Sequence, residues 1–344
     1  MRLEKQSKKK LSIDKMNKSI SVIIPAYNAT KTLNECLKAV IDNSYKAHEI
    51  IVVSDGSTDN TVEIAKELNC KVIDYKKNKG VSYARNIGAK QAKGEILVFI
   101  DSDVKIKLNA LKLINDSFSN KEITVVQGLY SHEPNYQNAV TQYQQSFYSY
   151  YLFNVGDFIS TLVGCCFAIR KSVFVDSGGF NEKSKYGGED EEFGYLLQNK
   201  GYKIRVLNGL NVEHMIHYTF LKYIKREFVI YTNYARNLFK NKAFKLKIKQ
   251  NNYNGAFLSL FLMGLIGLNA LSLLIIPNVY TLGLLIALNV LFIISKLKFL
   301  KFIYNSKGLK KAIPCLLVCY LDSLLICISM VYGISSYYIL GDKD

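Results

Sequence analysis

Three apolar runs in the first third of the chain have the length and composition of buried strands. They are ISVIIPAYN (20–28), EIIVVSDGSTD (49–59) and ILVFIDSD (96–103), and each ends in polar residues. Amphipathic helical patterns begin after Asn28 and after Thr58. Strands that alternate with helices are typical of a parallel sheet with right-handed crossovers. We therefore expect an α/β fold with a mostly parallel sheet.

The last third of the chain has a different pattern, with three much longer apolar runs. Residues 257–276 and 279–295 contain no charge, and 312–340 is interrupted only by Asp322. About 20 helical residues cross the roughly 30 Å hydrocarbon layer of a bilayer. Pro277-Asn278 predicts a tight turn between the first two runs. We expect an α-helical transmembrane domain of three spans.

Lysines flank these runs unevenly and predict their orientation. Positively charged loops stay on the cytoplasmic side. We therefore expect a multi-pass protein of the cell membrane whose amino-terminal domain is cytoplasmic and whose carboxyl terminus lies outside. The lysines before the first span are 240, 242, 245, 247 and 249, and those of the loop expected before the third are 296, 298, 301, 307, 310 and 311.

Polar side chains at the ends of the three predicted strands mark a candidate site. Tyr27, Asp55, Asp101 and Asp103 follow apolar runs, and ligands of open α/β sheets bind beyond the carboxyl ends of the strands. Mg²⁺ and Mn²⁺ prefer oxygen ligands and commonly use one or two carboxylates together with substrate phosphates. Asp-Ser-Asp therefore predicts a metal site, although a solvated turn would have the same sequence.

An ordered set of motifs carries a resemblance to a known family. In chain order they are SVIIPAYNA, VSDGSTD, NKGVSYARNIGAKQAKGEILVFIDSD, VGCCFAIRKSVFVDSGGFNE and GGEDEEF. Together they resemble glycosyltransferase family 2, the inverting, nucleotide-sugar-dependent enzymes of GT-A fold, over Ser19 to Tyr218. The resemblance implies a Rossmann-like nucleotide-binding domain and a nucleotide-sugar donor, a UDP-sugar first and a GDP-sugar as the alternative.

The resemblance also implies roles for individual residues. Tyr27 and Asp55 would contact the base and ribose, and Arg85 would lie against the nucleotide. His214 matches the family's metal-proximal histidine, although a structural role is the alternative and His217 competes for the position. The implied substrate-binding residues are Pro25, Tyr27, Asn28, Asp55, Gly56, Arg85 and Asp101. The implied ligands of Mn²⁺ or Mg²⁺ are Asp101, Asp103 and His214.

Glu189-Asp190 is the candidate acid–base pair. A metal bridging the donor phosphates neutralises the leaving group, so Asp101 and Asp103 need not handle protons. A hydroxyl acceptor loses its proton during attack and needs a carboxylate within hydrogen-bond reach. By resemblance the base is Asp190. The alternative is that both residues cap a helix running from Glu191 to Lys200, and Gly187-Gly188 suits a bent backbone in either case.

Composition separates classes of acceptor and partner. Processive synthases of the family carry a Gln-x-x-Arg-Trp motif, and this chain has no tryptophan. We therefore expect a non-processive enzyme that glycosylates a hydroxyl of a lipid-linked glycan. A polyprenyl-phosphate acceptor is the alternative, and a non-catalytic membrane scaffold is the alternative of another class. The net charge of +17 is better explained by anionic membrane lipids than by nucleic acid.

These patterns divide the chain into four segments. We expect a basic disordered tail (1–18), a catalytic domain (19–221), an interfacial basic and aromatic connector (222–256) and the transmembrane domain (257–340). The tail has seven basic and two acidic residues and no apolar core, so we expect no signal peptide. Seven cysteines without metal-like spacing indicate reduced thiols.

Two features leave alternatives open. The aromatic segment from Tyr136 to Phe158 fits an amphipathic helix at the membrane surface or a core helix of the catalytic domain. Asp322, inside the third apolar run, is expected to hydrogen-bond Asn269 or Asn289 of the other spans. A functional role for Asp322 near a lipid phosphate is the alternative.

Overall fold

The computed structural model describes residues 18–131, 138–153, 156–159, 161–183, 188–215, 218–240 and 254–339. The predicted tail before Lys18, together with Tyr136, Gly187 and His217, lies outside the described residues. Within them, the chain forms two compact units that are interleaved in sequence. Of the described residues, the first unit takes those within 18–131, 152–183 and 189–215, and the second those within 138–151, 188 and 218–339.

The first unit begins with the predicted strand–helix alternation. Its strands are β1 (Ile20–Ala26), β2 (Glu49–Asp55), β3 (Lys71–Tyr75) and β4 (Ile96–Ile100). The helices between them are α1 (Leu33–Ile41), α2 (Thr61–Glu67) and α3 (Val81–Gln91). These strands are parallel and lie in the order β3-β2-β1-β4. Every residue of β1 and β4 is buried, because helices cover both faces of a central parallel strand.

The remaining strands of the first unit continue the same sheet as β4-β8-β6-β9-β5, with β7 paired to β9. They are β5 (Val104–Ile106), β6 (Val125–Tyr130), β7 (Phe158–Ile159), β8 (Cys166–Arg170) and β9 (Ile204–His214). The accompanying helices are α4 (Ala110–Ser117), α6 (Lys171–Ser177) and α7 (Glu189–Asn199). The β4–β8 pairing is antiparallel and β6–β9 is parallel. The α/β prediction, with its Rossmann-like half, is confirmed.

The second unit is helical. Its helices are α5 (Ala139–Phe153), α8 (Phe220–Lys240), α9 (Asn254–Ile275), α10 (Val279–Lys307) and α11 (Leu309–Ile339). The last three are long and apolar enough to cross a membrane, as predicted. The expected turn before α10 is present, and the Asn278 side chain caps that helix by accepting from the backbone N–H groups of Tyr280 and Thr281.

The prediction of a lysine-rich loop before the third apolar helix is wrong. Helix α10 continues to Lys307, so the first four of the six lysines lie on a helix, and the break is at Gly308 with φ +76°. The helix continues because Phe299 and Ile303 keep an apolar face buried while lysines such as Lys298 and Lys301 stay exposed. These lysines therefore form the charged side of an amphipathic helix.

Within the aromatic segment, Ala139–Phe153 forms α5, whereas Phe158 lies in β7 of the first unit. Tyr143 is buried, and its ring meets Phe299 of α10 edge-on at 5.8 Å. Tyr150 contacts Phe299 and Phe302 at 5.4 and 5.5 Å. Helix α5 therefore packs in the core of the second unit and is not a core helix of the catalytic unit. The membrane-surface interpretation stays a prediction.

Asp322 has other partners than those expected. Its carboxylate accepts hydrogen bonds from the hydroxyls of Tyr143 (2.9 Å) and Tyr223 (2.6 Å), whereas Asn289 accepts from Tyr320. The prediction of Asn269 or Asn289 is wrong because Asp322 faces α5 and α8. Its buried carboxylate joins three helices of the second unit.

Candidate active site

The end of β1 is fastened to the loop after β2. Asn28 adopts a left-handed backbone conformation (φ +48°), its N–H donates to Ser57 Oγ at 3.1 Å, and its Oδ1 accepts from the N–H of Thr58 at 2.8 Å. Pro25 is buried within β1, whereas 55% of Tyr27 is exposed. Tyr27 and Asn28 are both exposed at the strand end, and the side chain of Asn28 is already bonded to the loop after β2, whereas Pro25 lies inside the strand.

Asp55 and Gly56 hold the loop that follows β3. The buried Asp55 carboxylate accepts from the backbone N–H groups of Lys79 (2.9 Å) and Gly80 (2.7 Å). Gly56 has φ +77°, and a Cβ there would lie 2.6 Å from the backbone nitrogen of Asn78. A side chain at position 56 would push the loop away.

Arg85 is an internal cation of the acidic cluster. Only 2% of its side chain is exposed, and its guanidinium donates to Asp101 Oδ1 at 2.8 Å and to Glu189 Oε1 at 2.7 Å. The guanidinium also lies 5.3 Å from the centre of the Phe180 ring. Burial alone would lower the pKa of Arg85, but Asp101, Glu189 and the nearby Asp190 raise it above its usual value. Arg85 thus joins α3, the end of β4 and the start of α7.

Asp101 belongs both to the acidic cluster around Arg85 and to the expected metal site with Asp103. Removal from water raises the pKa of the Asp101 carboxyl to about 6, against the opposing effect of Arg85 and with a further rise from Asp103. Its Oδ1 accepts from Arg85, while no hydrogen bond from the described residues reaches its Oδ2. Oδ2 of Asp101 is therefore suited to bind a cation.

Asp103 and His214 form the other part of the expected metal site. The Asp103 Oδ2 and His214 Nε2 atoms are 3.5 Å apart. The pairing of β5 with β9 brings them together, and the N–H of Met215 donates to the Asp103 carbonyl at 2.8 Å. Among the described residues, no group of three or more His, Cys, Asp or Glu side chains is arranged to hold a metal ion.

The donor set nevertheless fits a divalent ion in part. One carboxylate and one imidazole are suitable Mn²⁺ ligands, and substrate phosphates commonly complete the shell of such ions. The ion pair with Arg85 directs one oxygen of Asp101 to the guanidinium and leaves Oδ2 for an ion.

Asp190 begins α7 together with Glu189. Its Oδ2 accepts from the backbone N–H of Gly164 at 2.7 Å, and its Oδ1 accepts from the N–H of Glu191 at 2.9 Å. The second contact is to the next residue of the helix and differs from an N-cap bond, which reaches the N–H two or three residues further on, whereas the first ties Asp190 to a loop distant in sequence. An ionised carboxylate is an acceptor at both oxygens, so Asp190 has the chemistry of a proton acceptor.

Gly164 was missed in the sequence interpretation. A Cβ at Gly164 would lie 2.6 Å from Arg85 Nη2 and 3.4 Å from an oxygen of both Asp101 and Asp190. The absence of a side chain lets these three groups converge. Gly164 stands in the motif VGCCFAIRKSVFVDSGGFNE, but the motif did not reveal which side chains surround the glycine.

Comparison with known proteins finds similarity to glycosyltransferases in sequence and in fold. Residues 21–178 match the family described as Glycosyl transferase family 2, and residues 145–219 match one described as N-terminal domain of galactosyltransferase. The mannosyltransferase PcManGT of Pyrobaculum calidifontis, solved with GDP-Man and Mn²⁺, aligns with 100% of this chain and 94% of its own. The TM-score is 0.56 at 15% identity, which shows a shared fold.

Curated relatives match shorter stretches. Glycosyltransferase GlyG of Streptococcus pneumoniae is 36% identical over 120 residues, which are 33% of this chain and 40% of GlyG. The 4,4'-diaponeurosporenoate glycosyltransferase of Staphylococcus haemolyticus is 39% identical over 136 residues, 36% of this chain and 35% of that protein. The chain thus spans well under half the length of these relatives. On these matches, residues 21–178 are similar to the family described as Glycosyl transferase family 2.

Proposed function

We propose that the protein is a membrane-bound, inverting glycosyltransferase that moves a sugar from a nucleotide-sugar donor to a hydroxyl of a lipid-linked glycan. The observation that carries this proposal is the convergence of Asp101, Glu189 and Asp190 around Arg85 and Gly164. A donor-side carboxylate and a candidate base thereby both lie within 3.4 Å of the point where a Cβ of Gly164 would stand, which would hold donor and acceptor close together.

The donor side of the site is the crevice between Tyr27 and the metal motif. Asp103 and His214, with Oδ2 of Asp101, would hold Mn²⁺ or Mg²⁺, which when bound neutralises the charge that develops on the departing diphosphate. A UDP-sugar is the favoured donor and a GDP-sugar the alternative. Tyr27 is exposed at the end of β1 and offers an aromatic ring to the nucleotide base.

Asp190 takes the proton of the acceptor. Attack by the acceptor oxygen on the anomeric carbon forms the new glycosidic bond while the bond from that carbon to the phosphate oxygen breaks, and the electron pair leaves with the nucleoside diphosphate. The hydroxyl proton goes to a carboxylate oxygen of Asp190. The N–H groups of Gly164 and Glu191 fix the orientation of that carboxylate.

The helical unit supplies the link to a lipid-borne acceptor. Helices α9, α10 and α11 are long and apolar enough to anchor the chain, and lysines flank them. With those lysines on the cytoplasmic side, the catalytic unit is cytoplasmic and the carboxyl terminus lies outside. The absence of tryptophan supports a single transfer per acceptor over processive polymer synthesis.

The test of this function is Asp190→Asn in the full-length protein, with Asp176→Asn as the control. Asp176 is an exposed carboxylate of α6 that pairs with Lys200. We expect Asp190→Asn to keep donor binding and to lower transfer about 10²- to 10⁴-fold, the usual contribution of a general base. The control should resemble the wild type.

Two other outcomes separate the alternatives. If Asp190→Asn keeps full transfer activity and the product is a polyprenyl phosphate sugar, the acceptor is a phosphate and not a hydroxyl, because an anionic acceptor needs no base. Failure of the wild type to bind or turn over any nucleotide sugar would favour a non-catalytic scaffold.

A further inference from the structure

Lys79 lies beside the candidate donor crevice without a role in the mechanism above. It belongs to the loop between β3 and α3, whose backbone is held by Asp55 and pressed against Gly56. Tyr75, the last residue of β3, lies opposite Asp55 in the register of the two strands. Lys79 is therefore at the carboxyl-end edge of the sheet, where ligands of this kind of fold bind.

Two tyrosine rings hold the Lys79 side chain. Its Nζ lies 4.3 Å from the ring centre of Tyr83 and 5.2 Å from that of Tyr75, and it donates to the Tyr83 hydroxyl at 3.1 Å. The two rings meet edge-on at 5.2 Å. A hydrogen bond with Tyr75 and the contact with Lys79 lower the pKa of Tyr83. The ammonium group is thus oriented before any ligand arrives.

The charge of Lys79 is not used by a carboxylate. Among the described residues none forms an ion pair with Lys79, whereas its neighbour Lys76 pairs with Asp74 at 3.7 Å. Lys79 is exposed. An ammonium has three N–H donors, and the Tyr83 hydroxyl takes one of them. The others are available to an acceptor in the crevice.

The sheet order indicates which part of a nucleotide would reach Lys79. The strand order is β3-β2-β1-β4, so β3 is three positions from β4 and the metal motif that follows it, or about 14 Å at about 4.8 Å per strand. Phosphates held at Asp101 and Asp103 leave the ribose and base to extend over β1 and β2. Lys79 therefore meets the base end of the donor.

We propose that Lys79, oriented by Tyr75 and Tyr83, selects the donor by its base. It favours uracil or guanine, which carry a carbonyl oxygen, over cytosine or adenine, which carry an amino group at the corresponding position. This rests on the proposed function, because it requires a nucleotide sugar in the crevice. An ammonium donates hydrogen bonds and accepts none. It stabilises the carbonyl oxygen of uracil or guanine and meets a second donor, the amino group, in cytosine or adenine. Recognition by Lys79 thus favours UDP over CDP and GDP over ADP.

The experiment is calorimetric binding of UDP, CDP, GDP and ADP with Mn²⁺ to the full-length protein in detergent. The variants are Lys79→Met, which keeps an unbranched chain against the rings, and Lys77→Met, an exposed lysine of the same loop as the control. In the wild type we expect the carbonyl-bearing nucleotide of each pair to bind more tightly. Lys79→Met should lose about tenfold for it and little for its amino partner, the effect of one charge-assisted hydrogen bond. Lys77→Met should keep the wild-type ratios.

The outcomes separate this inference from the proposed function. Equal weakening of all four nucleotides by Lys79→Met, which would indicate a phosphate contact or a disturbed loop, overturns the inference. Unchanged ratios in Lys79→Met overturn it as well, while leaving the transferase proposal intact. A wild type that binds no nucleotide overturns both.

Discussion

Gly164→Ala tests whether the acidic cluster depends on the absence of a side chain at this position. The added Cβ would lie 2.6 Å from Arg85 Nη2 and 3.4 Å from an oxygen of Asp101 and of Asp190. Ordinary contact requires the guanidinium to retreat by about 1 Å. Arg85 is buried and paired on two sides, so this movement lengthens its bonds to Asp101 and Glu189.

The expected magnitudes follow from that displacement. Overpacking of a tight site costs about 1–3 kcal/mol of stability. A misplacement of about 1 Å at the reacting groups lowers the rate about 10²-fold. We expect Gly164→Ala to fold, to melt a few degrees lower and to lose kcat about 10²-fold, with a much smaller change in the KM for the donor.

The assay is steady-state sugar transfer together with thermal melting of the purified protein. Gly156→Ala is the matched control, because a Cβ at Gly156 meets no atom within 4 Å. Wild-type kcat in Gly164→Ala would refute the reasoning. The same loss of kcat in both variants would show that the effect is not specific to the cluster around Arg85.

Variants at three further positions test other parts of the account. Asp103→Asn should weaken Mn²⁺-dependent binding of a nucleoside diphosphate in calorimetry without changing metal-free binding, and equal affinity with metal would remove Asp103 from the metal site. Arg85→Met leaves two partly buried carboxylates unpaired, so we expect a loss of about 1–3 kcal/mol in unfolding free energy, and an unchanged denaturation midpoint would contradict the role of Arg85 as internal cation. Asp322→Leu removes the acceptor of two buried tyrosine hydroxyls at about 1–3 kcal/mol each, whereas Asp322→Asn keeps an acceptor, so only the leucine variant should melt markedly lower in detergent.

The parts of the fold that the sequence predicted are those governed by local pattern. Strands β1, β2 and β4 were visible as apolar runs because central strands are buried on both faces. The apolar helices α9 to α11 were visible by length. The predicted end of α10 was wrong because its lysines have the composition of a loop, although Phe299 and Ile303 between them form a buried helical face.

The parts that the sequence did not predict depend on contacts between distant positions. Asp322 pairs with tyrosines 179 and 99 residues away, and no local pattern specifies such a partner. In the site, the convergence of carboxylates at strand ends followed from topology. The burial of Arg85 between Asp101 and Glu189 did not, because it requires α7 to return to the sheet 104 residues after α3 provides the arginine.

The most direct test of the central claim is turnover of a panel of nucleotide sugars by the purified protein with membrane lipids as acceptors. The account predicts Mn²⁺- or Mg²⁺-dependent release of one nucleoside diphosphate, with the labelled sugar recovered in the lipid extract in inverted anomeric configuration. Nucleotide release without labelled lipid, retention of configuration, or no turnover with any donor would contradict it.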